Sequence, residues 1–90
     1  MYQLHPPRRH SPPGGEFVNE CGFGLFANSN TSCPFAQNVH EQWLSEERGE
    51  GAMIQVYSPV TGQTYAMNCV RGAGEVTCRG GNNAAVWFAV

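Results

Sequence analysis

The chain has 90 residues, a formal net charge of −2, five basic residues that are all Arg and seven acidic residues that are all Glu. That length allows one domain, and that charge gives no global field to draw the chain onto nucleic acid or an anionic membrane. The absence of Asp removes many usual metal and acid/base ligands, and no apolar run approaches the roughly 20 residues that span a bilayer.

Residues 1–19 hold four of the six prolines, among them Pro6-Pro7 and Pro12-Pro13, with Arg8-Arg9 and Gly14-Gly15. Paired prolines favour polyproline II and block helix. This segment reads as a disordered arm or linker, and the domain as residues 20–90. A Pro-rich ligand for an aromatic groove is the functional alternative for the arm. The N-terminus lacks the apolar segment of a signal peptide.

Cys21-Gly-Phe-Gly-Leu-Phe26 is a short apolar run broken by glycines, an edge strand or a packed loop. Ala27-Asn-Ser-Asn-Thr31 is turn chemistry. Asn30-Thr31-Ser32 also fits the glycosylation sequon, which we take as coincidence. Ser32 is a good N-cap and Pro34 is tolerated in a first helical turn. Phe35, Ala36, Val39, Trp43 and Leu44 then fall on one face of a 3.6-residue period. Glu46, Glu47 and Arg48 are expected to be solvated, and Gly49-Glu-Gly51 to end the helix.

Four strands are expected after the helix. Met53–Tyr57 alternates and is rich in β-formers. Ser58-Pro-Val-Thr-Gly62 is a turn with Pro59 suited to its second position. Gln63–Val70 and Glu75–Arg79 form a hairpin. Folding back at Ala73-Gly74 puts Gly72 opposite Glu75, Arg71 opposite Val76 and Cys69 opposite Cys78. Ala84–Val90 is the last strand. Alternation places Tyr65, Met67, Cys69, Val76 and Cys78 on one face, with Ile54, Val56, Val86 and Phe88 completing it. The expected fold class is therefore α+β: one helix packed on a four-stranded, mainly antiparallel sheet.

Four cysteines allow three pairings. The hairpin favours Cys69–Cys78, which leaves Cys21–Cys33 to tie the N-terminal loop to the helix start. Disulfides imply an oxidising compartment. A zinc site is disfavoured, because the pairs are separated by eleven and eight intervening residues and structural zinc prefers closer spacing. A catalytic thiol at Cys33 is disfavoured too. His40 lies seven residues along the same helix, about 10 Å up its axis at 1.5 Å per residue.

No catalytic constellation or phosphate loop is visible, so the sequence implies no enzyme, no cofactor and no metal. A binding surface is the remaining possibility. Trp87 alternates opposite to Val86 and Phe88; an outward Trp87 near Tyr57, Asn82 and Asn83 would make a reasonable patch, and cover by the N-terminal loop is the alternative. Arg71 and Arg79 flank the clasped hairpin and would add a basic spot; ordinary surface charge is the plainer reading of both.

Three stretches carry a resemblance: Thr31-Ser-Cys-Pro-Phe-Ala36 with Asn38-Val39; Tyr57-Ser-Pro-Val-Thr-Gly62 with Tyr65-Ala-Met-Asn-Cys69; and Val76-Thr-Cys-Arg-Gly-Gly-Asn-Asn83 with the apolar tail. Together they resemble a small Cys-containing domain of actinobacteria, found in short exported proteins and in the extracytoplasmic tails of membrane-anchored Ser/Thr kinases, with phage-encoded relatives. The resemblance covers about residues 20–90. It implies paired cysteines and a secreted or cell-envelope location, and it carries over no catalytic residue. The missing signal peptide departs from it. The expected function is a non-enzymatic binding or sensing module of the cell envelope, with an unknown protein or envelope ligand as partner. The alternative is a secreted or phage-encoded effector that binds and inhibits a host protein. A small hydrolase using Cys33 or His40 is a third class, which a free thiol at Cys33 would revive.

Overall fold

The computed structural model describes residues 12, 15–46 and 51–90. In chain order it comprises β1 (Asn19–Gly22), β2 (Leu25–Ala27), α1 (Cys33–Glu46), β3 (Gly51–Ser58), β4 (Gln63–Gly72), β5 (Glu75–Gly80) and β6 (Ala84–Ala89). The sheet is antiparallel at every neighbouring pair, in the order β1-β2-β6-β5-β4-β3. The class is α+β with one helix on the sheet, but the sheet has six strands rather than four.

The two extra strands come from the run Cys21–Phe26 and its flanks. β1 and β2 are only four and three residues long, too short to show an alternating period. They exist because β6 offers β2 a partner: Leu25 pairs with Phe88, Phe26 with Trp87 and Ala27 with Val86. Phe26 stacks edge-on against Trp87 at 5.9 Å between ring centroids. The last strand of the chain thus lies in the middle of the sheet.

The clasped hairpin forms in the expected register, with Cys69 opposite Cys78, Arg71 opposite Val76 and Gly72 opposite Glu75. Gly74 takes φ 75°, a conformation open to glycine at little cost. The Cys69 and Cys78 Cα atoms are 3.9 Å apart, closer than the ~4.5 Å of an unbridged pair. Cys21–Cys33 is the other bridge and joins β1 to the start of α1. None of the four thiols is free, so the zinc and thiol-nucleophile readings of these cysteines lose their ligands and nucleophile.

α1 begins as its sequence dictates. Ser32 Oγ accepts the Phe35 backbone N–H at 3.2 Å, the N-cap bond that satisfies one orphan donor of the first turn. Phe35, Ala36, Val39 and Trp43 are buried against the sheet. Leu44 is not on that face and stays exposed. The expected glycine stop of the helix lies outside the described residues, apart from Gly51, which opens β3.

Beneath the helix lie Leu25, Ile54, Val56, Met67, Cys69, Val76, Cys78, Val86 and Phe88, all buried. The inner face expected from alternation is therefore the core. The other face is not bare over its whole width. Phe17 folds back over Ala85 and Trp87 as a second small cluster. This is why β6 is buried on both faces, from Ala84 to Phe88. The domain was expected to start at residue 20; Phe17 and its neighbour Glu16 are in contact with the sheet before that point.

His40, on the flank of α1, lies over Phe88 at 4.5 Å between ring centroids. Partial burial pushes its imidazole below its ordinary pKa, and Glu41 offsets part of that. The unfolded chain then binds a proton more readily than the folded one. The His40 contribution to pH dependence is expected to be flat above the unfolded pKa of about 6.5, with stability falling as pH drops below it. Urea unfolding between pH 8 and pH 5 checks this: His40→Gln should lessen the slope between about pH 6.5 and the lower folded value.

Candidate functional site

The residues singled out from sequence do not form one patch. Trp87 faces away from Val86 and Phe88, as alternation requires, but it is only 2% exposed. Phe17 covers it, and its indole Nε1 donates to Glu75 Oε1 at 2.9 Å. Trp87 therefore leaves the candidate surface. Its burial follows from residues 16–18, whose Phe17-Val18 pair was the available signal.

Arg71 and Arg79 do not make a basic spot. Arg71 shares the side of Val76, and Arg79 lies on the opposite side, next to Cys78 in an alternating strand. Their paired positions are three residues apart along the hairpin, about 10 Å. Arg79 is also engaged: its Nη1 and Nη2 donate to the two Glu16 carboxylate oxygens at 2.6 and 2.9 Å. Its guanidinium lies 5.8 Å from the centre of the Phe17 ring. The bidentate contact holds the Glu16 carboxyl below its usual range. The pair is exposed, so it orients residues 16 and 17 rather than contributing much energy.

Tyr57 is 53% exposed on the outer face of β3. Asn82 and Asn83 lie at one end of the domain, in the turn between β5 and β6. Of the expected set, Asn82 lines a cleft, and Asn83 and Arg79 line a wider depression beside it.

Four segments build that cleft. They are the loop before α1, the first turn of α1, the β3–β4 turn and the β5–β6 turn. Asn30, Ser32, Phe35, Ser58, Thr61, Tyr65, Gly81 and Asn82 are among its lining residues, and its volume is about 170 Å³. Each wall has a local cause. Gly62 N–H donates to the Ser58 carbonyl at 2.8 Å, closing the β3–β4 turn. Tyr65 stands half-buried, its ring edge-on to Phe35 at 5.6 Å between centroids, and its hydroxyl lies 3.0 Å from Thr61 Oγ1. Gly81 has φ 58°, and a Cβ there would come within 3.1 Å of the Tyr65 ring. Only glycine lets the β5–β6 turn approach Tyr65 this closely.

The fourth wall is held by a polar latch. Asn28 Nδ2 donates to the Asn83 carbonyl at 2.8 Å. Asn28 Oδ1 accepts the Thr31 hydroxyl at 2.6 Å, and Thr31 Oγ1 accepts the Ala85 N–H at 3.1 Å. Asn83 has φ 63°, which Asn tolerates better than other side-chain-bearing residues. Among the described residues no buried side-chain N or O lacks a partner. Asn28 and Thr31 read as plain turn residues in sequence; their partners, Asn83 and Ala85, lie more than 50 positions away, so no local signal marked them.

A second, wider depression of about 400 Å³ adjoins the first, sharing Asn30, Gly81 and Ala84 and adding Asn28, Asn83, Glu16 and Arg79. Chemically the main cleft offers amide and hydroxyl groups around two aromatic rings. Among the described residues lining it there is no carboxylate, imidazole or guanidinium. Such a surface suits hydrogen bonding and stacking. Among the described residues no helix is long and apolar enough to cross a membrane.

The chain matches no protein-family profile, no curated protein and no solved structure.

Proposed function

We propose that this domain is a non-enzymatic extracytoplasmic binding module of the actinobacterial cell envelope, and that its ligand is an uncharged glycan held in the cleft beside Tyr65. The observation that carries this reading is the lining of that cleft. Asn30, Ser32, Thr61 and Asn82 offer donors and acceptors in several directions, and Tyr65 offers apolar ring surface backed by the buried Phe35. A sugar ring presents the same pair of chemistries, hydroxyl edges and an apolar C–H face. The two disulfides support an oxidising location. The resemblance of residues 20–90 to an actinobacterial envelope domain supports the compartment.

Titration with a soluble N-acetylhexosamine oligosaccharide, followed by amide chemical shifts, tests it. Shifts are expected at Asn30, Thr61, Tyr65 and Asn82. Asn82→Ala should weaken binding about 10-fold, the loss of roughly one to two hydrogen bonds, with no change in unfolding midpoint because Asn82 is exposed. No shifts at ~10 mM sugar, or shifts confined to another face, would reject this ligand class.

A further inference from the structure

The two edges of the sheet are built differently. β1 is short, carries Glu20, and changes register between Glu20 and Gly22. Those are recognised means of blunting an edge. β3, at the other edge, has none of them. It pairs with β4 over eight consecutive residues without a register shift. From Gly51 to Ser58 it contains no charged residue and no proline.

The direction of its outward backbone groups can be read from two bonds. The Ser58 carbonyl turns toward the β3–β4 turn, where it accepts Gly62 N–H. The Tyr57 carbonyl turns away from β4 and accepts Asn38 Nδ2 of α1 at 2.9 Å. Backbone groups alternate along a strand. Met53 and Gln55 therefore point their N–H and C=O groups outward, as Tyr57 does. The side chains of these residues stand on the outer face. Met53 is 59% and Tyr57 53% exposed, and Val70 of β4 adds a further apolar side chain at 58%.

We propose that this edge is a homodimer interface, in which β3 pairs antiparallel with β3 of a second copy about a two-fold axis at Gln55. The sequence of the strand is what selects a second copy. With Gln55 opposite Gln55, Met53 falls opposite Tyr57 of the other copy, and Ile54 opposite Val56, so apolar meets apolar at these two pairs on each side of the axis. No like charges oppose one another, since the strand has none. The Met53 and Tyr57 side chains are then in reach for a sulfur–aromatic contact on the outer face. About six backbone hydrogen bonds form across the axis. The Asn38 bond occupies one lone pair of the Tyr57 carbonyl and leaves the other. The result is a continuous twelve-stranded sheet from two six-stranded ones, with the two clefts at opposite ends. An interface of one edge strand is small, so the dimer is a reversible one.

Sedimentation equilibrium of the full chain from about 5 to 500 µM reads the mass. A rise from monomer toward dimer across that range is expected. Gln55→Lys places two ammonium groups opposite one another at the axis and should weaken dimerisation at least 10-fold. Gln55 is exposed, so the variant keeps its fold and its Met67 and Phe88 methyl and ring signals. Amide exchange of Met53 and Gln55 should slow with protein concentration in the parent chain and not in Gln55→Lys. A monomer at every concentration overturns the proposal. So does a dimer whose affinity Gln55→Lys leaves unchanged, because that dimer uses another surface.

Discussion

Replacing Cys69 and Cys78 together by Ala is expected to lower unfolding stability by about 2–3 kcal/mol from the lost cross-link alone. The bridge closes a loop with a sequence separation of 9, against 12 for Cys21–Cys33. Chain entropy thus separates the two bridges by only a few tenths of a kcal/mol. Burial decides between them. Cys69 and Cys78 are fully buried under α1, so their replacement also leaves a void among Val76, Met67 and Val86, about 1 kcal/mol more. Cys21 and Cys33 are only partly buried, and their loss leaves little void. Natural domains hold about 0.05–0.15 kcal/mol per residue, so a chain of this size loses a large share of its stability. Urea midpoints of the two double variants check the order, and Cys21→Ala/Cys33→Ala proving the more costly would contradict it. Alkylation before and after reduction gives a second reading. Mild reductant should open Cys21–Cys33 first, because water and thiol reach it in the folded state.

Phe88→Ala is expected to cost about 3–5 kcal/mol, enough to leave the chain largely unfolded at 37 °C. Phe88 sits on β6, which pairs with β2 and β5 and packs against α1. It is buried opposite Leu25 on β2 and Val76 on β5, and the rings of His40 and Trp43 lie 4.5 and 6.5 Å from its own between centroids. Three neighbouring elements, β2, β5 and α1, would lose contacts at once, and none can follow the vacated volume without unpairing the sheet. Phe23→Ala is the control. Phe23 is 101% exposed in the β1–β2 turn, so its change should stay within ~0.5 kcal/mol. Thermal melts of the two variants separate burial from aromatic content. A loss under ~1 kcal/mol at Phe88 would mean that β6 is not central.

Without Phe17, the outer side of Trp87 and Ala85 would face water. The Arg79–Glu16 pair sets the path of residues 16 and 17 over that side. A strand buried on both faces is ordinary in sheets covered from two sides. Here the cover on one side is a helix, and on the other the Phe17 side chain.

What the sequence determined by itself is local. The hairpin register followed from counting back from Ala73-Gly74, and it placed Cys69 on Cys78. The helix start followed from Ser32 and Pro34, and the inner face from alternation through Met67, Val76 and Phe88. Each depends on hydrogen bonds and side-chain periods within a few residues, so the residues themselves carry the information. Tertiary structure decided everything that needs distant partners. β1 and β2 are too short for a period and form only because β6 inserts between β2 and β5. Trp87 went inside because Phe17, seventy positions earlier, covers it. Arg71 and Arg79 were separated by sheet faces. The cleft beside Tyr65 joined loops whose asparagines and hydroxyls each looked like ordinary turn chemistry. Nothing local distinguishes an asparagine that caps a turn from one that also latches a loop 55 positions away; only the long-range strand pairing brings Asn28 to Asn83.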